Sequence, residues 1–245
     1  MTRRVTWVGH ATLLLELGGA RLLTVPVLRD RVAHLRRRVP TPADPGPLDA
    51  VLVSHSHHDH LDRPSLRRLA GPRTTAVVPA GTAGLLQGMG FGELREVTAG
   101  DSVEIAGTTV RVVEAWHDGR RRPGAKPAAT VGYLADRVWF AGDTELHPRM
   151  ELLRGEVDVA LVPIWGWGPS LGPGHLDPVE AAQAVALVEP EIVVPIHWGT
   201  FLPIGLGRRH GGAMGDPPVQ FAAQVASVAP ATRVVTLAPG ESLSA

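Results

Sequence analysis

Apolar residues in this chain come in short runs, often alternating with polar ones and punctuated by turn residues, which is the period of strands rather than of long helices. Val5-Thr6-Trp7-Val8 and Ala11 to Leu17 read as strands, and Gly18-Gly19 turns the chain into a third, Arg21 to Val25. Residues 29 to 49 are rich in Arg and Pro without a sustained period and read as a loop or insertion. Ala50-Val51-Leu52-Val53 reads as a buried strand. Asp62 can cap a short helix from Pro64 to Ala70, after which Thr74 to Val78 returns as a strand. Gly81 to Gly90 is at best a short helix weakened by glycine.

Further strand signals follow at Ser102 to Ile105, Thr108 to Trp116, Thr130 to Leu134, Arg137 to Ala141 and Val157 to Ile164, with Gly107 and Ala135-Asp136 at turns. Asp177-Pro178-Val179-Glu180 supplies a capping Asp, a Pro at the first helical position and a Glu at the third, opening a helix to about Val188. Ile192 to Ile196 is a strand, Asp216-Pro217-Pro218 starts a last helix, and Arg233 to Leu237 closes the sheet. Strand clusters followed by strand-helix alternation suit an α/β protein of two packed β-sheets with helices outside. Neither a linker nor a repeat interrupts residues 1 to 245, which are expected to form a single domain.

At 245 residues the chain can bury a large core. Its 24 basic and 24 acidic residues cancel, so no global field favours nucleic acid or an anionic membrane. The runs Arg36-Arg37-Arg38 and Arg120-Arg121-Arg122 lack interleaved aromatics and read as solvated surface. Cysteine is absent, which excludes disulfides, thiolate ligands and cysteine nucleophiles. Met1 to Leu17 begins like a signal peptide, but Thr6, His10 and Glu16 break the apolar stretch and no cleavage site follows. No run approaches the roughly 18 apolar residues of a spanning helix, so a soluble, cytoplasmic protein is expected.

Chemistry concentrates at Ser54-His55-Ser56-His57-His58-Asp59-His60, directly after the apolar strand. His55 and His57, two apart, fall on one side of an extended backbone, and Asp59 and His60 can reach a second position from the turn. His117, Asp143 and His197 each end a predicted strand too. Singly, such a His is ordinarily a loop residue and such an Asp a turn former. Four strands each delivering a His or Asp at the C-terminal end point together to a metal site of nitrogen and oxygen ligands.

These residues resemble a known family. Trp7-Val8-Gly9-His10-Ala11-Thr12, the His-rich segment through Asp62, Trp116-His117, Phe140-Ala141-Gly142-Asp143-Thr144 and Pro195-Ile196-His197-Trp198-Gly199-Thr200-Phe201 look like the metallo-β-lactamase superfamily. The branch most resembled is that of the N-acylphosphatidylethanolamine-hydrolysing phospholipase D and ascorbate-6-phosphate lactonase. The resemblance spans about residues 5 to 240 and implies a four-layer αββα sandwich with a dinuclear site. By position, His55, His57 and His117 would bind one ion, Asp59, His60 and His197 the other, and Asp143 would bridge them. The implied activity is hydrolysis of a small anionic ester, most simply a phosphodiester or lactone, by a metal-bridging hydroxide.

Two divalent ions bring about +4, the two carboxylates and a hydroxide remove about three of that, and the remaining positive charge favours an anionic small-molecule substrate. Zinc suits imidazole-rich sites best, and manganese, iron or nickel also fit. Catalytic roles are implied for Asp59 and for His175, which stands before Leu176-Asp177-Pro178 as a leaving-group acid or substrate contact, a loop histidine being the plainer reading. His10 is a weaker candidate for lining the site; His58 should point away, and His34, His147 and His210 read as surface residues. Trp165, Trp167 and residues 201 to 206 are either core cover or an apolar substrate wall. Ser170 in a GxSxG match lacks the following helix of a nucleophile elbow, and Gly205-Leu206-Gly207 lacks the spacing of a dinucleotide site.

Relatives usually read Thr-Asp-Pro where this chain has Thr24-Val25-Pro26, and valine cannot accept the hydrogen bonds such an Asp takes beneath the His-rich loop. Losses of that kind cost about 10- to 100-fold in metal affinity or activity. Either a neighbour substitutes, or binding and turnover are weakened. Two alternatives stand beside the hydrolase reading. One is a non-catalytic metal-binding or sensor protein; the other is a metallo-nuclease, which the balanced charge disfavours. A homo-oligomer is compatible with the resemblance.

Overall fold

The N-terminal alternation folds as an antiparallel meander of β1 (Arg4–Gly9), β2 (Thr12–Leu17) and β3 (Ala20–Thr24), with the inward face apolar. In this computed structural model the described residues are 3–121, 124, 128–168, 171–206 and 216–245. The Ser170 and His210 readings, Arg122 of the arginine run and the last glycine of the 205–207 segment lie outside them. Part of the expected loop at 29 to 49 is instead a small hairpin, β4 (Arg31–Val32) and β5 (Leu35–Arg37). Strands so short carry no readable period, so only pairing with a distant segment reveals them.

Beyond it come β6 (Ala50–Leu52), α1 (Arg63–Leu69), β7 (Thr75–Pro79), a 3-10 turn at Ala83–Leu85 and β8 (Glu93–Val97). The second half contains β9 (Ser102–Ile105), β10 (Thr108–Glu114), β11 (Val131–Ala135), β12 (Val138–Phe140), a 3-10 segment at Pro148–Leu153 and β13 (Val159–Pro163). It ends with α2 (Pro178–Val188), β14 (Ile192–Ile196), β15 (Phe201–Pro203), α3 (Asp216–Val228), β16 (Arg233–Val234) and β17 (Ser242–Ser244).

Among the described residues two seven-stranded sheets result, ordered β17-β1-β2-β3-β6-β7-β8 and β16-β14-β13-β12-β11-β10-β9, with a three-stranded sheet β15-β5-β4. β3, β6, β7 and β8 run parallel in the first, and β12, β13, β14 and β16 run parallel in the second. The parallel strands β6, β13 and β14 are wholly buried, as strands covered on both faces must be. β8 and β17 lie at sheet edges with mostly exposed, polar side chains, which hides them from a hydrophobic pattern.

The central apolar layer joins the inner faces of the two sheets, for example Trp7, Leu13 and Leu52 with Val112, Phe140 and Val194. A second cluster seats α2 and α3 on the outer face of one sheet through Val185, Val188, Phe221 and Val225. Another seats Leu66 of α1 on Val51 and Val78 of the other. The architecture is therefore an αββα sandwich. Asp62 caps α1, and Asp177 with Glu180 forms the reciprocal capping box of α2.

Candidate metal centre

Strand ends place the chemistry. His55 comes three residues after β6, His117 three after β10, Asp143 three after β12 and His197 directly after β14, so both sheets feed one edge of the sandwich. Gly142, at φ 66°, makes the turn into Asp143 feasible: a Cβ there would lie 2.9 Å from the Val131 carbonyl oxygen and 3.0 Å from Ser54 Cβ. His10 at the β1–β2 tip and His197 both take left-handed backbone, at φ 57° and 63°, and are tied by the His197 N–H donating to the His10 carbonyl at 3.0 Å.

The side chains converge. Donor atoms of His55, His57 and His117 lie within 4.8 Å of one another, as do those of His10, Asp59, His60 and His197. His55, His60 and Asp143 form an equally tight group that joins the two, and His117, Asp143 and His175 form another. His57 Nδ1 stands 3.1 Å from His117 Nε2, and His60 Nε2 stands 3.0 Å from His197 Nε2. Asp143 Oδ2 is 3.1 Å from His60 Nε2, 3.4 Å from His197 Nε2 and 3.5 Å from His175 Nε2.

Tautomers follow from the backbone. His117 Nδ1 donates to the Gly174 carbonyl and His197 Nδ1 to the Trp165 carbonyl, each at 2.7 Å. A carbonyl only accepts, so both rings carry their proton on Nδ1 and point a bare Nε2 lone pair inward. A Cβ at Gly174 would fall 2.8 Å from His117 Nδ1, so only glycine permits that approach. Among the described residues His55 Nε2 and Asp143 Oδ1 are buried without any hydrogen-bond partner. Converging lone pairs and buried acceptors are what a divalent cation satisfies, so the residues present fit metal.

Electrostatics agree. Burial pushes His117 down to about 4 and His197 to about 3, and lowers His55 and His57 as well. Burial alone would raise Asp59 and Asp143, but His60 beside Asp59, and His197 and His60 beside Asp143, hold both well below the usual carboxylate range. Neutral rings and ionised carboxylates are the forms that bind metal. His60 departs from this: burial opposes its protonation, but Asp143 and Asp59 prevail and raise it. Burial opposes the protonation of His175 too, but the hydrogen bond and charge of Asp143, with the Gly172 carbonyl and Asp59, together raise it to about 9.

His10, the weaker candidate, is fully buried at the centre, with Nε2 3.2 Å from Asp59 Oδ2 and its ring 4.0 Å from that of His197. Trp167 Nε1 donates to the same Asp59 oxygen at 3.0 Å, while its side chain packs against the cluster of Val27 with Val32, Leu35 and Phe201 of the small sheet. Residues 201 to 203 form a strand, with Phe201 and Leu202 buried as cover. His58 is exposed and faces away, and His34 is exposed. His147 is not a surface residue: it is buried, stacked 4.8 Å from Trp116, a contact across thirty-one positions that no local pattern encodes.

Two supports of the His-rich loop escape a sequence reading. Arg121, taken for solvated surface, is part-buried and donates from one nitrogen to the carbonyls of Ser56 at 2.7 Å and Leu61 at 3.1 Å, bracketing the loop. A run of arginines looks the same whether solvated or clamped. Ser54 lies beneath the ring nitrogens of His55 and His60. Val25 is buried at φ 30° and uses only its backbone, donating to the Leu52 carbonyl and accepting from Thr12 Oγ1.

Fold and site together define the class of metal-dependent hydrolases of the metallo-β-lactamase fold. A family model for the beta-lactamase superfamily domain matches residues 20–198. The chain belongs to that superfamily. It is similar to a UPF0173 metal-dependent hydrolase of Methanopyrus kandleri, 35% identical over 98% of each chain. It is also similar to N-acyl-phosphatidylethanolamine-hydrolyzing phospholipase D 1 of Caenorhabditis elegans, 32% identical over 82% of this chain and 64% of that protein. Among solved structures, Igni18, a metallo hydrolase of Ignicoccus hospitalis, superposes with a TM-score of 0.75 at 22% identity, covering 100% of this chain and 98% of that one.

Proposed function

We propose that this protein is a single-domain, dinuclear hydrolase of small anionic esters, with phosphodiester or lactone cleavage its chemistry. The observation that carries the reading is the convergence of bare imidazole nitrogens and ionised carboxylates from both sheets. His55, His57 and His117 would hold one ion and Asp59, His60 and His197 the other, with Asp143 within reach of both groups. Zinc is the first choice for so many imidazoles, with manganese, iron or nickel next. When bound, a metal pair supplies an acidified water as nucleophile and polarises the scissile ester oxygen.

The chain's own residues do the rest. His175, at the edge of the centre and part-exposed, holds a proton at Nε2 3.5 Å from Asp143 and delivers it to the departing oxygen. Asp59, gripped by His10 and Trp167, keeps one carboxylate oxygen fixed against the second half-site. The likeness to a phospholipid-hydrolysing relative supports a phosphodiester substrate. None of the described helices is long and apolar enough to cross a membrane, and the reading places the protein in the cytoplasm, acting on a small molecule rather than nucleic acid.

Metal analysis of the purified protein, followed by assay on a bis-aryl phosphodiester and on a lactone, tests this. Two ions per chain with hydrolysis of either ester is the expected result. Bound metal with no hydrolysis of any ester class, even with added zinc or manganese, would instead establish the sensor alternative.

A further inference from the structure

Four of the imidazoles at the centre use their outward nitrogen in two different ways. His117 and His197 donate Nδ1–H to main-chain carbonyls, which are fixed acceptors. His55 and His60 have no carbonyl there; both turn Nδ1 toward the Ser54 hydroxyl, at 3.0 Å and 3.4 Å. Ser54 is fully buried, and its carbonyl accepts the Val131 N–H at 3.0 Å, which ties it to the second sheet. Gly142 packs against its Cβ from the loop that carries Asp143. The apolar Val25 side chain can supply no hydrogen bond to either ring.

We infer that Ser54 is the positioning residue shared by both halves of the metal centre, its single oxygen accepting Nδ1–H from one imidazole of each half-site. A hydroxyl oxygen has two lone pairs and can take both protons. With metal bound and Nδ1 protonated in each ring, Nε2 of His55 would face the first half-site bare and Nε2 of His60, having given up the proton it shares with Asp143 in the metal-free protein, would face the second. Because a hydroxyl can also donate, the ligating form is the one in which Ser54 accepts from both rings while each Nε2 faces the ions, which is what the test below reads. The inference rests on the metal-centre reading above and adds that one side chain governs both ions.

The test uses chelator competition to measure zinc dissociation constants for the first and second ion in the wild type, Ser54→Ala and Ser54→Thr. Loss of the hydroxyl should weaken both ions by about 10- to 100-fold, as removal of a ligand's hydrogen-bond partner commonly does, and Thr should restore most of it. Long-range proton–nitrogen spectra of the zinc-loaded wild type should show Nδ1 protons on His55 and His60. In Ser54→Ala those two should exchange faster while the signals of His117 and His197 stay unchanged. Weakening of one ion alone or of neither overturns the inference, and so does absence of either Nδ1 proton in the wild type, a readout that needs no variant to fold. A wild type that binds no zinc overturns the metal reading itself, before any variant is made.

Discussion

At the scale of single residues, the site's protonation chemistry makes the metal-free protein sensitive to acid. Burial holds His117 near about 4 and His197 near about 3, whereas an unfolded histidine titrates near about 6.5. Between those values the unfolded chain binds protons that the folded chain refuses, so stability falls as pH falls through about 6.5 toward 4. His175, raised to about 9, and His60, also raised, stay protonated in the folded state and oppose the trend only near its upper end, where the unfolded chain is still taking up their protons; below about 6 they no longer contribute. The urea midpoint of chelator-stripped protein should therefore drop between about pH 7 and pH 5; an unchanged or higher midpoint contradicts the burial of neutral imidazoles. His57→Ala should lose metal without unfolding, because His57 is only part-buried and sits on a loop. Unchanged metal stoichiometry would remove it from the ligand set. The HxHxDH spacing made these histidines legible, since it is a local pattern with a direct geometric meaning. His147 and Arg121 were not legible in the same way, because their contacts lie across the fold, and Ser54 was not because its role depends on how the two rings turn rather than on spacing.

Among the elements, the loop from Ser54 to Asp62 depends on its anchors more than on its own conformation. Ser56 Oγ donates to the Gly119 carbonyl at 2.6 Å, Arg121 brackets Ser56 and Leu61, and Asp62 caps α1 while paired with Arg29. Arg121→Ala frees two loop carbonyls and should weaken metal binding by about 10-fold, the scale of losing an outer hydrogen-bond partner, with little change in the thermal midpoint. Isothermal titration of the stripped variant with zinc would read this, and wild-type affinity would return Arg121 to the solvated surface. The long strands and the α2 cap were readable because period and capping residues are local signals, as at Asp177-Pro178-Val179-Glu180. The hairpin β4–β5 was not because its strands are too short to show a period, β8 was not because its side chains are mostly exposed and polar, and β17 was not because its partner β1 lies at the other end of the chain.

For the molecule as a whole, the centre straddles two sheets that meet through an apolar layer and a few hydrogen bonds such as Tyr133 to the Val53 carbonyl, so bound metal would add a further link between N-terminal and C-terminal halves. The strand-helix order made two packed sheets legible, but not which strand ends would adjoin, since that depends on how two separately paired sheets pack. Everything proposed here requires two cations within that edge. The most direct measurement is the anomalous scattering map of zinc-reconstituted crystals. Two peaks are predicted, one enclosed by His55, His57 and His117 and one by Asp59, His60 and His197, with Asp143 between them. A single peak would contradict the dinuclear assignment, and a map without a peak among these residues would contradict the metal centre altogether.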